Sequence, residues 1–146
     1  MTAPVLPVTP DDRSDHVFCL FNFKGIRHLP VLENNKVVGV ISDRDLKKAF
    51  GDARKAVKPD STTITIASRK VRTIMRRGVL TIGPDEKASD AAAIMVKKKI
   101  GCLPVVKNNK LVGIITEIDI LRAFIKLANE AEQMVEDLQA WEEQSE

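Results

Sequence analysis

The 146-residue sequence predicts a mixed α/β (α+β) fold: two pseudo-symmetric β-α-β-β-α repeats packed as a pair, followed by a C-terminal amphipathic helix. Three observations predict it. Sliding the chain by 74 positions lays residues 1–50 on residues 75–124 without a gap, and about 19 of the 50 aligned positions are identical. Within each copy, short β-branched runs alternate with segments whose apolar residues recur at helical spacing. After the second copy, Ile120, Phe124, Leu127, Ala131, Met134, Leu138 and Trp141 follow a 4-3 pattern. A unit of about 50 residues buries too little to stand alone. The copies are therefore expected to share one core, with ligand space in the clefts between them.

The first copy, residues 1–50, opens on the apolar run Val5 to Val8 and is punctuated by Pro10-Asp11. The second, residues 75–126, opens on Val79 to Ile82 and Pro84-Asp85. A helix follows in each; in the second copy Ala88, Ala91, Ala92 and Met95 fall on one face. Two short strands come next, Leu103 to Val106 and Lys110 to Thr116, joined by a tight Lys-Asn-Asn turn. The first copy has the same turn at Glu33-Asn34-Asn35, and asparagine tolerates the positive φ such a hairpin requires. A second helix begins near Ser42 and Thr116. The connecting segment, residues 51–74, carries a β-branched run from Thr62 to Ala67 that predicts a further strand. The first copy lacks the lead-in that residues 68–74 give the second. Residues 127–146 form an acidic helix of their own.

Composition narrows the function classes. Hydrophobic residues are 44% of the chain, which excludes wholesale disorder. Aromatics are only 4%, with one Trp and no Tyr, so the stacking platforms of single-strand nucleic-acid binders are missing. No run approaches the ~20 apolar residues of a membrane span, and the first residues lack the pattern of a signal peptide. Cys19 and Cys102 stand far apart and form no metal cluster with His16 and His28, so two reduced thiols in a cytoplasmic protein are expected. The net charge of +3 hides an asymmetry: residues 127–146 contain seven acids and no base, which leaves the preceding 126 residues with 23 basic against 13 acidic side chains.

The sharpest local signal is Gly39-Val40-Ile41-Ser42-Asp43-Arg44-Asp45, matched by Gly113-Ile114-Ile115-Thr116-Glu117-Ile118-Asp119. A hydroxyl residue followed three positions later by a carboxylate is a helix capping box with Asp in the usual Glu or Gln place. The same helix start presents N–H groups and a partial positive charge to an anion. The two readings are compatible, with Ser42 or Thr116 capping the empty site and serving a ligand when it is filled.

The repeat, the I-x-x-L-P-V elements (Ile26 to Val31; Ile100 to Val105) and the two hydroxyl-x-x-Asp motifs resemble a tandem of cystathionine-β-synthase (CBS) domains, the Bateman module. The likeness covers residues 1–125 and is nearest to small stand-alone bacterial CBS-pair proteins. It implies a regulatory, energy-sensing protein that binds AMP, ADP, ATP or S-adenosylmethionine between repeats. It also implies a homodimer of disc-like pairs and an unidentified downstream protein. Asp45 and Asp119 would hold the ribose, and Ser42 and Thr116 would face the phosphate. One site would comprise Leu6, Val8, Pro30, Ser42, Arg44 and Asp45. The other would comprise Leu80, Thr81, Ile82, Gly101, Cys102, Pro104, Thr116 and Asp119, with Arg27 and His28 reaching across to its phosphates. The second is expected to be the occupied one, because Ala91-Ala92-Ala93 leaves room where the first copy has Val17-Phe18-Cys19.

No nucleophile with a base in series is evident, so catalysis is not expected and no cofactor is required. Two other readings stand beside the sensor: a ligand-silent scaffold for dimerisation and docking, in which Ser42 and Thr116 only cap, and a nucleic-acid-associated regulator suggested by the basic body. The C-terminal helix is expected to contribute a dimer contact.

Overall fold

A computed structural model describes residues 6–50 and 68–145. The first copy contains helix α1 (Ser14–Lys24), strands β1 (His28–Glu33) and β2 (Lys36–Ser42), and helix α2 (Asp43–Phe50). A 3₁₀ turn (Val71–Thr73) leads into the second copy, built from α3 (Ala88–Lys98), β3 (Cys102–Lys107), β4 (Lys110–Thr116) and α4 (Glu117–Ser145). The strand expected over residues 62–67 lies outside the described residues.

Each pair of strands is an antiparallel hairpin with the same register, His28 opposite Ser42 and Cys102 opposite Thr116. The turns are the predicted Asn-Asn pairs, with φ of 51° and 62° at Asn34 and Asn35 and of 50° and 60° at Asn108 and Asn109. The opening runs are shorter as strands than the sequence suggested. Each makes a single parallel bridge, Val8 to Val31 and Ile82 to Val105. The Val8 amide donates to the Pro30 carbonyl at 3.0 Å, and the Leu32 amide returns to Val8 at 2.8 Å. Pro7 and Pro10 flank Val8 and have no N–H to extend the ladder; Pro84 ends the second run in the same way.

The expectation of one shared core is corrected. Val8, Val17, Phe21, Leu29, Val31, Ile41 and Leu46 form a core within the first copy, completed by Val71 and Met75. Ile82, Ala91, Met95, Leu103, Val105 and Ile115 form another in the second. Met75 thus ties the second copy to the first core, and among the described residues a small apolar seam of Val40, Cys102 and Ile114, with Val79 against it, also joins the two. Each hairpin is covered by its own copy's first helix, so most apolar area is removed from water before the copies meet.

The chain re-enters the first copy before starting the second. Ser14 donates its amide to the Arg69 carbonyl, and its buried hydroxyl accepts from the Arg69 amide. Val71 and Arg72 then donate to the carbonyls of Asp12 and Pro10. Arg76 and Val40 exchange both backbone hydrogen bonds, at 2.9 and 3.1 Å. Gly39 makes that crossing possible, since a Cβ there would lie 2.7 Å from the Arg76 carbonyl oxygen.

Helix α4 runs unbroken through the boundary drawn at residue 127. Its 29 residues include none that is buried. Leu121, Phe124, Ile125, Leu127, Met134, Val135, Leu138 and Trp141 all stand more than half exposed along it. A single helix in water is marginal at this length, and packing of an apolar face ordinarily supplies what is missing.

Candidate functional site

The capping geometry predicted at both motifs is present. The Ser42 amide and hydroxyl donate to Asp45 Oδ2 at 2.9 and 2.8 Å, and the Asp45 amide returns to Ser42 Oγ at 3.2 Å. The Thr116 amide and hydroxyl donate to Asp119 Oδ2 at 2.8 and 3.0 Å, with the Asp119 amide 3.4 Å from Thr116 Oγ1. Aspartate is one methylene shorter than the usual Glu, and here it draws both the amide and the hydroxyl of the cap residue onto one oxygen. Both helices therefore start with their first donors satisfied.

The two pairs differ in setting. Ser42 and Asp45 are buried and border a cavity of about 920 Å³ between the copies, within the range of small-molecule sites. The first copy contributes Arg27, His28, Val40 and the start of α2; the second contributes Val79 and Leu80, then Ala92 and Met95 of α3, Ile100 to Cys102, and Glu117, Ile120 and Leu121 of α4. Val79, Leu80, Ala92, Met95 and Ile120 give the lining an aliphatic stretch, and both copies add charged side chains to it. Fixed cations dominate the lining: Arg27, Arg44, Lys47, Arg76, Arg77, Lys98 and Lys99 against Asp43, Asp45 and Glu117. Such an excess of one sign favours an anionic guest.

The structure groups the expected site residues differently from the sequence-derived sets. Leu80, Gly101 and Cys102, expected with Thr116 and Asp119, line one cavity with Ser42, Arg44, Asp45, Arg27 and His28, while Cys102 also stands opposite Thr116 in its hairpin. The cause is the Val40–Arg76 crossing, which lays the second copy's opening segment beside the end of β2. Thr116 and Asp119 lie outside the lining of this cavity. Val8, Pro30, Ile82 and Pro104 are buried in the two hydrophobic cores, whereas Leu6 and Thr81 are exposed away from it. Of the bulkier Val17-Phe18-Cys19, Val17 packs into the first core and Phe18 and Cys19 are exposed, and none of the three lines the cavity.

The chemistry of the lining follows from burial. Burial holds the His28 ring below its ordinary pKa of 6.5, with Arg44 adding to the effect and Glu117, Asp43 and Asp45 opposing it. The ring packs on Gly101, whose absent Cβ would lie 3.0 Å from Nε2. Burial likewise pushes the Cys102 thiol up to about 12, so it is a small apolar wall element and not a nucleophile. Among the described residues no group of His, Cys, Asp and Glu is arranged to hold a metal ion.

Sequence reasoning missed Arg76. Its Nε donates to Asp45 Oδ1 at 3.0 Å. The partners are 31 residues apart, one in each copy, and no spacing rule joins them.

The family model for the CBS domain matches residues 1–52 and 71–126. A candidate acetoin utilization protein of Vibrio cholerae is 29% identical, with a TM-score of 0.75 over 90% of this chain and 92% of that one. CBSX2, solved in complex with AMP, is 28% identical, with a TM-score of 0.66 over 85% and 90% of the two chains. The CBS domain pair of MJ0100, solved with 5′-methylthioadenosine and S-adenosyl-L-methionine, is 28% identical, with a TM-score of 0.67 over 83% and 90%. The Methanocaldococcus jannaschii proteins MJ1232 and MJ1225 are 43% and 34% identical over 70% and 85% of this chain. The chain spans only 30% and 45% of their lengths.

Proposed function

Because this chain belongs to the CBS-domain family, we propose that it is a non-catalytic regulatory module that binds an adenosyl compound in the cavity between its two repeats. The observation that carries the reading is the buried Ser42–Asp45 pair on a cavity whose wall includes the aliphatic residues Val79, Leu80, Ala92 and Met95. The wall suits a flat base, and the carboxylate suits the two hydroxyls of a ribose. The surrounding cations suit a phosphate: Arg44 lies within the motif, and the Arg27 carbonyl accepts the Asp43 amide beside it. Two solved relatives bear adenosyl compounds, which supports the same class here: AMP, ADP, ATP or S-adenosylmethionine. Thr116 and Asp119 offer the pseudo-symmetric second position.

The module acts as a homodimer whose geometry changes with occupancy and is read by a downstream protein. A ligand can drive that change only through unequal affinity for the two geometries. The exposed apolar face of α4 supports a second copy as its cover. The two unpaired cysteines suit the reducing cytoplasm. No helix among the described residues is long and apolar enough to cross a membrane.

Thermal-shift titration with AMP, ADP, ATP and S-adenosylmethionine tests the reading. A ligand at about 100 times its Kd stabilises by roughly 2.7 kcal/mol, or about 8 °C for a chain of this length. At least one compound should produce such a shift, and Asp45→Asn, compared with its own ligand-free melting point, should abolish it. No shift with any compound would leave the motifs as caps on a ligand-silent scaffold. A shift unchanged in Asp45→Asn but lost in Asp119→Asn would move the site to the other pair.

A further inference from the structure

We propose that Arg76 is a specificity-determining residue of this cavity: it holds the Asp45 carboxylate in the empty site and yields it most readily to a ligand that brings a phosphate. The inference rests on the reading that Asp45 receives the ribose.

Three observations carry it. First, the acceptor that a ribose would need is already in use. Asp45 Oδ2 takes the amide and hydroxyl of Ser42, and Oδ1 takes Arg76 Nε at 3.0 Å. The carboxylate is only 9% exposed, so water is a poor substitute for either partner. Second, the Arg76 backbone is pinned by its two hydrogen bonds to Val40, and Gly39 beneath it allows the close approach. The backbone therefore holds the residue in place at the cavity. Third, its side chain is 59% exposed and borders the cavity, so the guanidinium is free to swing.

These constraints make the exchange unequal for different ligands. A ribose that displaces Arg76 replaces an ion-paired hydrogen bond with hydrogen bonds from uncharged hydroxyls and releases a cation among other cations, Arg27, Arg44, Arg77 and Lys99. An adenosyl compound without an anionic group gives that cation nothing. A nucleoside phosphate gives it an anion that the planar guanidinium fork can hold through two N–H donors. Arg76 thus opposes neutral and cationic adenosyl compounds and offsets its own displacement for phosphorylated ones.

Calorimetric titration of wild type, Arg76→Met and Arg77→Met with adenosine and with AMP, at fixed ionic strength, tests this. Arg77 lines the same cavity and supplies the same charge, but no bond between it and Asp45 is described. Arg76→Met should bind adenosine more tightly and AMP about tenfold more weakly. Arg77→Met should weaken AMP modestly and leave adenosine unchanged. Arg76→Lys, which keeps the charge without the fork, should recover only part of the AMP affinity. Equal behaviour of the two methionine variants would reduce Arg76 to one more contributor to the field, and weaker adenosine binding by Arg76→Met would overturn the proposal outright. If AMP and adenosine bind wild type but Asp45→Asn alters neither, the ribose reading fails as well. Absence of binding by every protein would remove both.

Discussion

Replacing Gly39 with alanine strikes the point where the two copies cross. A methyl at that position would stand 2.7 Å from the Arg76 carbonyl oxygen and 2.9 Å from Met75 Sδ. The thioether is flexible and can turn aside. The carbonyl cannot, because it accepts the Val40 amide while the Arg76 amide donates back to Val40. Overpacking of this kind costs about 1–3 kcal/mol. The smaller conformational freedom of an unfolded alanine chain offsets about 0.4–1 kcal/mol. A net loss of about 1–2 kcal/mol corresponds to a Tm roughly 3–7 °C below wild type for a chain of this length. Differential scanning calorimetry at equal protein concentration measures it, since self-association would otherwise shift Tm. Gly83→Ala is the matched control, because the only atom near its Cβ is Glu86 Oε2 at 4.0 Å. If Gly39→Ala melts with the control, the close crossing of Arg76 over β2 is refuted.

Other outcomes follow from burial and exposure. Since burial lowers the His28 pKa below 6.5, the unfolded chain takes up a proton before the folded one does. Stability should be greatest above pH 6.5 and fall as the pH drops through it, until the folded ring itself protonates. Urea midpoints at pH 7.5 and 5.5 should show the fall and His28→Gln should reduce it; an identical fall in the variant would remove His28 as the cause. At pH 8 a thiol reagent should label one cysteine per native chain, the exposed Cys19, and two after denaturation, because Cys102 is buried and held protonated. Two rapidly reacting native thiols would contradict that burial. Light scattering should give at least a dimer mass, and Leu127→Glu with Trp141→Glu should shift it to the monomer without loss of the helical signal, since both side chains are exposed. A mass unaffected by the pair would exclude α4 from self-association.

Local order was the legible part of the sequence. Asn34-Asn35 and Asn108-Asn109 announce hairpins because few residues accept positive φ, and the hydroxyl-x-x-Asp motifs announce helix starts because the cap is closed within four residues. The ungapped repeat announces two matching units. What joins units over long separations was not legible. The core of the first copy draws Val71 and Met75 from beyond the first repeat, and the cavity pairs Asp45 with Arg76. Neither has periodicity or local chemistry to mark it. Gly39 was the available signal: it stands within the motif, yet only the backbone passing over it shows what a side chain there would meet.

Helix α4 connects two places that would otherwise have nothing to do with each other. Its first turn, at Glu117, Ile120 and Leu121, forms part of the cavity wall. Its last residue is Ser145, about 43 Å away at 1.5 Å per residue. An arm of that length multiplies angle into distance. A rotation of about 5° at the root sweeps the far end by about 4 Å, roughly the spacing of neighbouring Cα atoms. A tilt lost among side-chain rearrangements at the cavity becomes, at Ser145, a displacement of about one residue's length.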